Sequence, residues 1–418
     1  MKRSVLCVLL AAVLLEPFLL RGRTEKEPVF TLDECIDTAL KQNPLILSSL
    51  QQYQASLARV NQAKAFEQPS IDWDSDLQPS IFNFKDSGEH YIGLSQSFQF
   101  PGKRQLKGKI ASKESQELMT EIDLLRLDIT FRVKQAFYSL LLAQEMQKYA
   151  QQNLDLARDF LQKAELKFDA GDVARVEVLR ARVESAKAAN QLRVAGNEVK
   201  LAKATLNFLL ARKKYEPIAV EGDLKRPPLE LELDPLREMA LSFRPEMKRI
   251  NFSLERERLQ KKQATMSYLP DFTLGVNRHH IDGEGSFWDV TLSFPIPLFF
   301  WQPKKGEIAE AEANIRSLQK EAEHIVNVIS LEVEEAYMNA VTTENQIQLF
   351  EKDILRQAEE VYNMFLFSYQ EGEIGGIELI EARRTLIEAR RSYAGALFNY
   401  KAALATLERS IGQTLEGE

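Results

Sequence analysis

The chain repeats its own sequence pattern at an offset of about 201 residues. The matched positions include Pro44 and Pro245, Pro69 and Pro270, and Gly171 and Gly372. Alanine and leucine coincide by chance in many helical proteins, whereas prolines and glycines held in one register do not. A repeat of this length marks two related structural units rather than a solenoid of short repeats. We therefore expect two similar halves, residues 24–215 and 232–418, joined by a linker at 216–231.

The first 23 residues are expected to form a secretory signal peptide. Lys2 and Arg3 precede a short apolar run over residues 5–15, an arrangement typical of export signals. An N-terminal membrane anchor remains the alternative, because the cleavage site is not clean. Loss of this segment, which carries a net charge of about +3, would change the chain from −7 to about −10. Such an acidic chain does not suit nucleic acid, and Cys35 alone cannot form an intrachain disulfide.

Each half is predicted to begin with a helix and to continue into two strands. Thr31 and Glu34 form a capping-box pattern, and Asp234 followed by Pro235 gives a cap with a first-turn proline. These helices should run to about residues 65 and 265. The pattern then changes from helical to alternating, which predicts four strands. They cover about residues 70–78, 90–100, 271–279 and 286–296.

The predicted strands alternate apolar and polar side chains, as Ile71 and Trp73 do with Asp72 and Asp74. This pattern fits either a half-buried sheet on a soluble core or a membrane barrel that is apolar outside and polar inside. The export signal and the run length, near the ~9 to 11 residues of a membrane strand, favour the barrel. Four strands cannot close one, because the smallest single-chain barrels have about eight. Two copies would supply eight strands and three would supply twelve, and a conducting pore favours three.

Long proline-free segments rich in helix-forming residues follow Pro101 and Pro303. A helix over residues 102–168 would be ~100 Å long at 1.5 Å per residue, so it must stand out as a column. The helices that return after Gly171 and Gly372 are shorter. Stacking each N-terminal helix end to end with a return helix would supply the missing length. Large and small side chains alternate along the return helices at an average step of 3.5 residues, which is typical of coiled coils.

Several segments resemble the TolC-like outer-membrane efflux proteins, in order and in both halves. They are "TLDECIDTALKQNPLI", "LSQSFQFPGKR", "VEVLRAR" and "IELIEAR". The resemblance implies a mainly α, mixed α/β membrane protein with long helical hairpins and four membrane strands per chain. It also implies a homotrimer that completes a twelve-stranded barrel in outer-membrane lipid and a helical tunnel in the periplasm. A periplasmic adaptor and an inner-membrane pump would be its partners, and drugs, metal ions or polypeptides its cargo.

Glu378 and Glu381 lie three residues apart after the second glycine turn, so a helix places both on one face. This spacing is also common on ordinary solvated helices. The resemblance places these carboxylates around the closed periplasmic aperture, where the family usually has aspartates. Glu177 and Arg180 hold the corresponding positions of the first half. Three copies would gather six carboxylates from the second half, and the aperture should select cations.

Three side chains flank the same glycine turns: Tyr369, Arg182 and Arg383. By position and resemblance, we expect them to form hydrogen bonds and ion pairs that hold the helical tips shut, and the turns at Gly171 and Gly372 to contribute to adaptor docking. Exposed ion pairs are worth only ~0.2 to 1 kcal/mol each. Opening by a docked partner should therefore be energetically modest unless several pairs act together.

No residue pattern indicates catalysis, a cofactor or a resident metal. His279 and His280 are neighbours on a strand, so they point to opposite faces and cannot readily bind one ion. His324 with Glu321 has the spacing of helical di-iron sites, but such sites need a second copy and more glutamates. We expect a transport protein rather than an enzyme. The alternative is a periplasmic coiled-coil adaptor, which would require a compact β domain.

Overall fold

The computed structural model describes residues 28–76, 88–213, 216–226, 232–296, 298 and 303–415. The predicted signal peptide at 1–23 lies outside these residues. The elements of the first half are β1 (Val29–Phe30), α1 (Leu32–Gln42), α2 (Pro44–Ala63), β2 (Ser70–Asp76), β3 (Glu89–Phe98), α3 (Lys103–Asp169) and α4 (Arg175–Leu209). Those of the second half are β4 (Ala219–Val220), α5 (Leu233–Phe243), α6 (Pro245–Met266), β5 (Phe272–Ile281), β6 (Gly285–Ser293), α7 (Pro303–Leu349), a π-helical segment (Phe350–Ile354), α8 (Leu355–Glu371) and α9 (Gly376–Ile411).

The N-terminal helix of each half is broken in two, where a single helix was expected. The breaks fall at Asn43 and Arg244, which are extended with ψ angles of 122° and 128°. Each precedes a proline, and the proline ring disfavours helical geometry in the residue before it. The capping box of Thr31 and Glu34 is confirmed, with both hydrogen bonds present. Asp234 lies in the first turn of α5 and is not its cap.

Four helical columns lie side by side along the molecule. Towards the glycine turns, α3 packs between α4 and α9, and α9 also packs against α7 and α8. Towards the strands, α3 packs between α2 and α6, and α6 contacts α7. The short helices meet end to end, since Asn43 Nδ2 donates to the Leu209 carbonyl at 3.4 Å and Arg244 donates to the Ser410 carbonyl at 3.4 Å. Columns α2/α4 and α6/α9 therefore alternate with the long columns α3 and α7/α8.

The two long columns differ in one respect. The 67 residues of α3 form an uninterrupted helix, whereas the second column contains the π-helical segment between α7 and α8. There Phe350 packs against Tyr393 of α9, with ring centroids 6.3 Å apart. Nothing in the sequence pattern predicted this segment. Within the described part of the chain, no helix is both long enough and apolar enough to cross a membrane.

Alanines close the contacts between the columns, as the alternating seam predicted. Ala181, Ala188 and Ala195 of α4 are buried, as are Ala382, Ala389, Ala396 and Ala403 of α9. The largest apolar cluster lies at mid-length, where Phe137 and Leu140 of α3 meet Cys35 and Leu206. Small residues let helices approach closely, so these narrow seams hold hairpins together without a broad apolar core.

The segment expected to be a linker, residues 216–231, does more than connect the halves. Ala219 and Val220 form β4, which pairs in parallel with Val29 and Phe30 of β1. Ile218 is fully buried, and Gly222 lies so close to Phe137 that a Cβ atom would come within 3.2 Å of its ring. Residues 216–226 are thus packed onto the mid-length core, because their apolar side chains complete it.

The four long strands form one antiparallel sheet in the order β2-β3-β5-β6. The centre of the sheet joins the two halves, with Gly93 opposite Asn277 and Phe98 opposite Phe272. One face is apolar and uncovered: Ile71 is 78% exposed and Val290 is 73% exposed. A soluble sheet would bury such a face. Its exposure therefore agrees with the membrane interpretation of the sequence pattern.

Candidate functional site: the paired hairpin tips

The two helical hairpins end side by side at tight glycine turns. Gly171 and Gly372 have φ angles of +86° and +80°, in the left-handed region where an L side chain is strained. No atom lies within 4 Å of a Cβ built on either residue, so backbone conformation alone explains these glycines. The turns place the end of α3 and the start of α4 against the end of α8 and the start of α9.

Tyr369 is the central side chain of the paired tips. It is 1% exposed and packs against Phe160, with ring centroids 5.4 Å apart. Its hydroxyl donates to Glu177 Oε1 of the other hairpin at 3.2 Å. Burial, and then the charge of Glu177, raises the pKa of the Tyr369 hydroxyl. The hydroxyl therefore stays protonated and donates this hydrogen bond throughout the physiological pH range.

Lys167 makes a second link between the tips. Its Nζ atom donates to the Tyr369 carbonyl at 2.8 Å and lies 4.5 Å from the centre of the Tyr369 ring. Gly376 lets the start of α9 lie close to the first hairpin, since a Cβ atom on this residue would come 2.7 Å from both Glu177 Oε1 and Phe160. Sequence reasoning missed both residues. The Gly375-Gly376 pair just after the turn was the signal available in the sequence.

Glu184 joins the hairpins about two helical turns further from the tip than Glu177. It accepts hydrogen bonds from Arg383 at 3.3 Å and Arg384 at 2.8 Å, both on α9, and from Lys187 at 3.1 Å. Burial opposes ionisation of Glu184, but the bonds from Lys187 and Arg384 outweigh it and lower its pKa. This carboxylate was not among the predicted residues, because its partners lie about 200 residues away.

The predicted arginines have different environments. Arg383 is 4% exposed, so the expectation of an exposed ion pair is wrong for this residue. Its Nη2 atom bonds Glu184, while its Nε and Nη1 atoms are buried without a hydrogen-bond partner. Arg182 is exposed and pairs with Glu165 at 3.0 Å, inside its own hairpin. Arg383 therefore bridges the hairpins and Arg182 does not.

The predicted aperture residues occupy two kinds of position. Glu378 and Glu381 are exposed on α9, where Glu381 pairs with Arg384 at 2.8 Å, and Arg180 is exposed on α4. Glu177 is half-buried by its contact with Tyr369. Of the three predicted glutamates, two are thus exposed near the tip and the third joins the hairpins. Over the ranges that the structure describes, no three His, Cys, Asp or Glu side chains are placed to hold a metal ion.

Comparison with known proteins gives a consistent result. Residues 35–212 and 236–413 each match the family described as Outer membrane efflux protein. The chain is 26% identical over 326 residues to the cobalt-zinc-cadmium resistance protein CzcC of Cupriavidus metallidurans, covering 75% of this chain and 74% of that protein. The fold is similar to that of CusC, with a TM-score of 0.76 and 16% identity over 91% of this chain and 92% of that one. It is also similar to the crystal structure of the Campylobacter jejuni outer membrane channel CmeC, with a TM-score of 0.76 and 16% identity over 91% of this chain and 85% of that one.

Proposed function

Because this chain belongs to the outer membrane efflux protein family, we propose that three copies close into one tube that conducts divalent cations from the periplasm to the exterior. A single chain leaves the sheet edges at β2 and β6 without a further strand among the described residues. An open edge in lipid leaves backbone groups unpaired, so strands of neighbouring copies must complete the barrel. This incompleteness is the observation that carries the proposal.

The helical columns are incomplete in the same way. Apolar side chains remain exposed on both outer columns, α4 and α7/α8, and several of them are separated by the three, four or seven residues that occur in coiled-coil seams. On α4 they are Val176, Leu179, Val183, Val194, Leu201 and Phe208, and on α7 and α8 they are Leu331, Met338, Leu349, Val361, Met364 and Phe367. Because α4 packs on α3 at one side of the chain, and α7 and α8 pack on α9 at the other, α4 of one copy can pack against α7 and α8 of the next. Such a head-to-tail contact closes into a ring.

Three copies fit the strand count better than two. Two copies would give eight strands, and barrels of about eight strands have interiors filled by side chains. Three copies would give twelve strands, which leaves room for a lumen. Apolar residues on one face of the sheet would then contact lipid, and polar residues such as Ser95 and Thr273 would line the lumen.

The direction of selectivity follows from the tips. Glu378 and Glu381 of three copies would place six carboxylates around the narrow inner end of the tube, where a low-dielectric wall strengthens their field. The likeness to a cobalt-zinc-cadmium resistance protein supports divalent metal ions as cargo. The chain carries no recognised motor or catalytic motif, so the driving force would come from an inner-membrane pump joined through a periplasmic adaptor at the tips.

The test is ion selectivity in planar bilayers. Replacing Glu378 and Glu381 by Gln removes six negative charges from the proposed aperture, and the reversal potential in a salt gradient should shift towards that of a non-selective pore. The matched control is Glu307→Gln with Glu310→Gln, two exposed glutamates with the same spacing, ~90 Å along the column from the tip. Equal selectivity in the wild type and the aperture variant would contradict the proposed ring.

A further inference from the structure

Four polar side chains form a row across the sheet at the end away from the helices. Ser75 of β2 lies opposite His90 of β3, His90 lies opposite His280 of β5, and His280 lies opposite Ser286 of β6. Residues directly opposite on neighbouring strands share one face of a sheet. The row therefore lies on the face that carries Ile92, two residues from His90. It brings together two histidines from different halves of the chain.

The outer serines hold the two imidazole rings in place. Ser75 Oγ is 3.3 Å from His90 Nδ1, and Ser286 Oγ is 3.1 Å from His280 Nδ1. When Nδ1 donates its hydrogen to an oxygen, Nε2 carries the free lone pair and becomes the metal-binding nitrogen. In both rings, Nδ1 thus faces the serine of the neighbouring outer strand. Asp282 adds a carboxylate oxygen 3.6 Å from His280 Nε2.

We propose that His90 and His280 bind one divalent late transition metal ion between strands β3 and β5. Side chains directly opposite in an antiparallel pair have Cβ atoms ~4.5 to 5.5 Å apart, so two imidazoles can reach one ion at bonds of about 2.0 Å. Imidazole suits Cu²⁺, Ni²⁺ and Zn²⁺, whereas Mg²⁺ and Ca²⁺ require oxygen donors. The remaining coordination positions are left for water, because no third His, Cys, Asp or Glu side chain among the described residues is placed to complete the set. The binding is reversible, unlike that of a closed four-ligand site.

The site is separate from the conduction path. His279, the neighbour of His280, lies on the opposite face, where it stacks on Tyr91 at 4.0 Å. His90 and His280 share the apolar face instead, beyond the band formed by Ile92 and Leu94. A metal ion there would tie the strand pair of the first half to that of the second. Its existence does not depend on the aperture or on the cargo, so the two proposals fail separately.

The experiment uses the detergent-solubilised full-length protein and two probes. Calorimetric titration with Zn²⁺ should give one site per chain, and Cu²⁺ should give an electron paramagnetic resonance spectrum with two coordinated nitrogens. His90→Gln and His280→Gln should each lower affinity roughly 100-fold or more, because the second ligand on a rigid frame acts intramolecularly. Ser286→Ala should lower it about tenfold, because the ring loses its orienting bond. Size-exclusion chromatography confirms that each variant keeps its assembly.

Two controls use the remaining histidines. His279→Gln, on the other face of the sheet, and His324→Gln, on the exposed surface of α7, should bind Zn²⁺ and Cu²⁺ as the wild type does. Wild-type affinity in either His90→Gln or His280→Gln would overturn the proposal. It would also be overturned by a one-nitrogen Cu²⁺ spectrum in the wild type, or by a loss in His324→Gln equal to that in His280→Gln.

Discussion

The bond between Tyr369 and Glu177 offers the sharpest test of the prediction that contacts between the hairpins hold the tip closed. Tyr369→Phe removes the hydroxyl that reaches Glu177 at 3.2 Å and leaves the ring packed against Phe160. A hydrogen bond to a charged group contributes ~1.5 to 3 kcal/mol net. Glu177 is partly exposed, so the lower figure applies. A loss of about 1.4 kcal/mol changes an equilibrium tenfold, so each chain should open its hairpins about ten times more readily.

In a trimer whose tips open together, three lost bonds would multiply to roughly 1,000-fold. Single-channel recording in planar bilayers measures this as the fraction of time spent in the high-conductance state. The mutant should open frequently under conditions in which the wild type is mostly closed. The change should not depend on pH near neutrality, because the raised pKa of Tyr369 keeps its hydroxyl protonated there.

Tyr393→Phe is the matched control. The Tyr393 hydroxyl donates to Glu351 Oε1 at 3.0 Å, but both residues belong to the second hairpin. Its loss removes a tyrosine–glutamate bond of similar length without separating the two hairpins. An open fraction in Tyr369→Phe no higher than in Tyr393→Phe would refute the assignment of this bond to closure.

Two further predictions concern the columns and the tip. Lys134 and Glu408 form an ion pair at 2.6 Å, and their side chains are only 5% and 8% exposed. Lys134→Met leaves Glu408 buried without this partner, so it should lower the free energy of unfolding by ~3 to 5 kcal/mol in denaturant titrations. The double variant Lys134→Met with Glu408→Met should recover most of that loss. Full destabilisation in the double variant would contradict this reasoning. Glu184 has a pKa below its reference value of 4.5, so the stabilisation of the tip is complete above that pH and is lost as pH falls through the lowered pKa. The wild-type channel should open more often below about pH 4.5. Glu184→Gln should open readily at neutral pH, and its open fraction should depend less steeply on pH. An equally steep pH dependence in the variant would exclude Glu184 as the group responsible.

Much of the fold could be predicted from the sequence because the same pattern occurs in both halves of the chain. The glycines at 171 and 372 predicted both hairpin turns, and their left-handed φ angles give the physical reason. The lengths of the predicted helices were enough to predict that the short helices stack end to end. The breaks before Pro44 and Pro245 were not predicted, although a proline disfavours helical geometry in the residue that precedes it.

The tip was predicted only in outline, because its contacts join residues about 200 positions apart. Local spacing placed Tyr369 and Arg383 near the turn, but it could not show that Arg383 is buried or that Glu184 is its partner. Those facts depend on which face of α9 meets α3 and α4. The same limit applies to His90 and His280: each strand was recognised, but the register that sets them opposite each other is a property of the assembled sheet.

Native mass spectrometry of the detergent-solubilised outer-membrane fraction addresses the incompleteness of the single chain most directly. In the proposed assembly, neighbouring copies cover the exposed apolar side chains of α4 and of α7 with α8, and pair with the outer strands β2 and β6. The expected particle has three times the mass of the mature chain and inserts into bilayers as one conducting unit. A detergent-free soluble monomer, with the apolar face of the sheet protected by its own helices, would contradict the account.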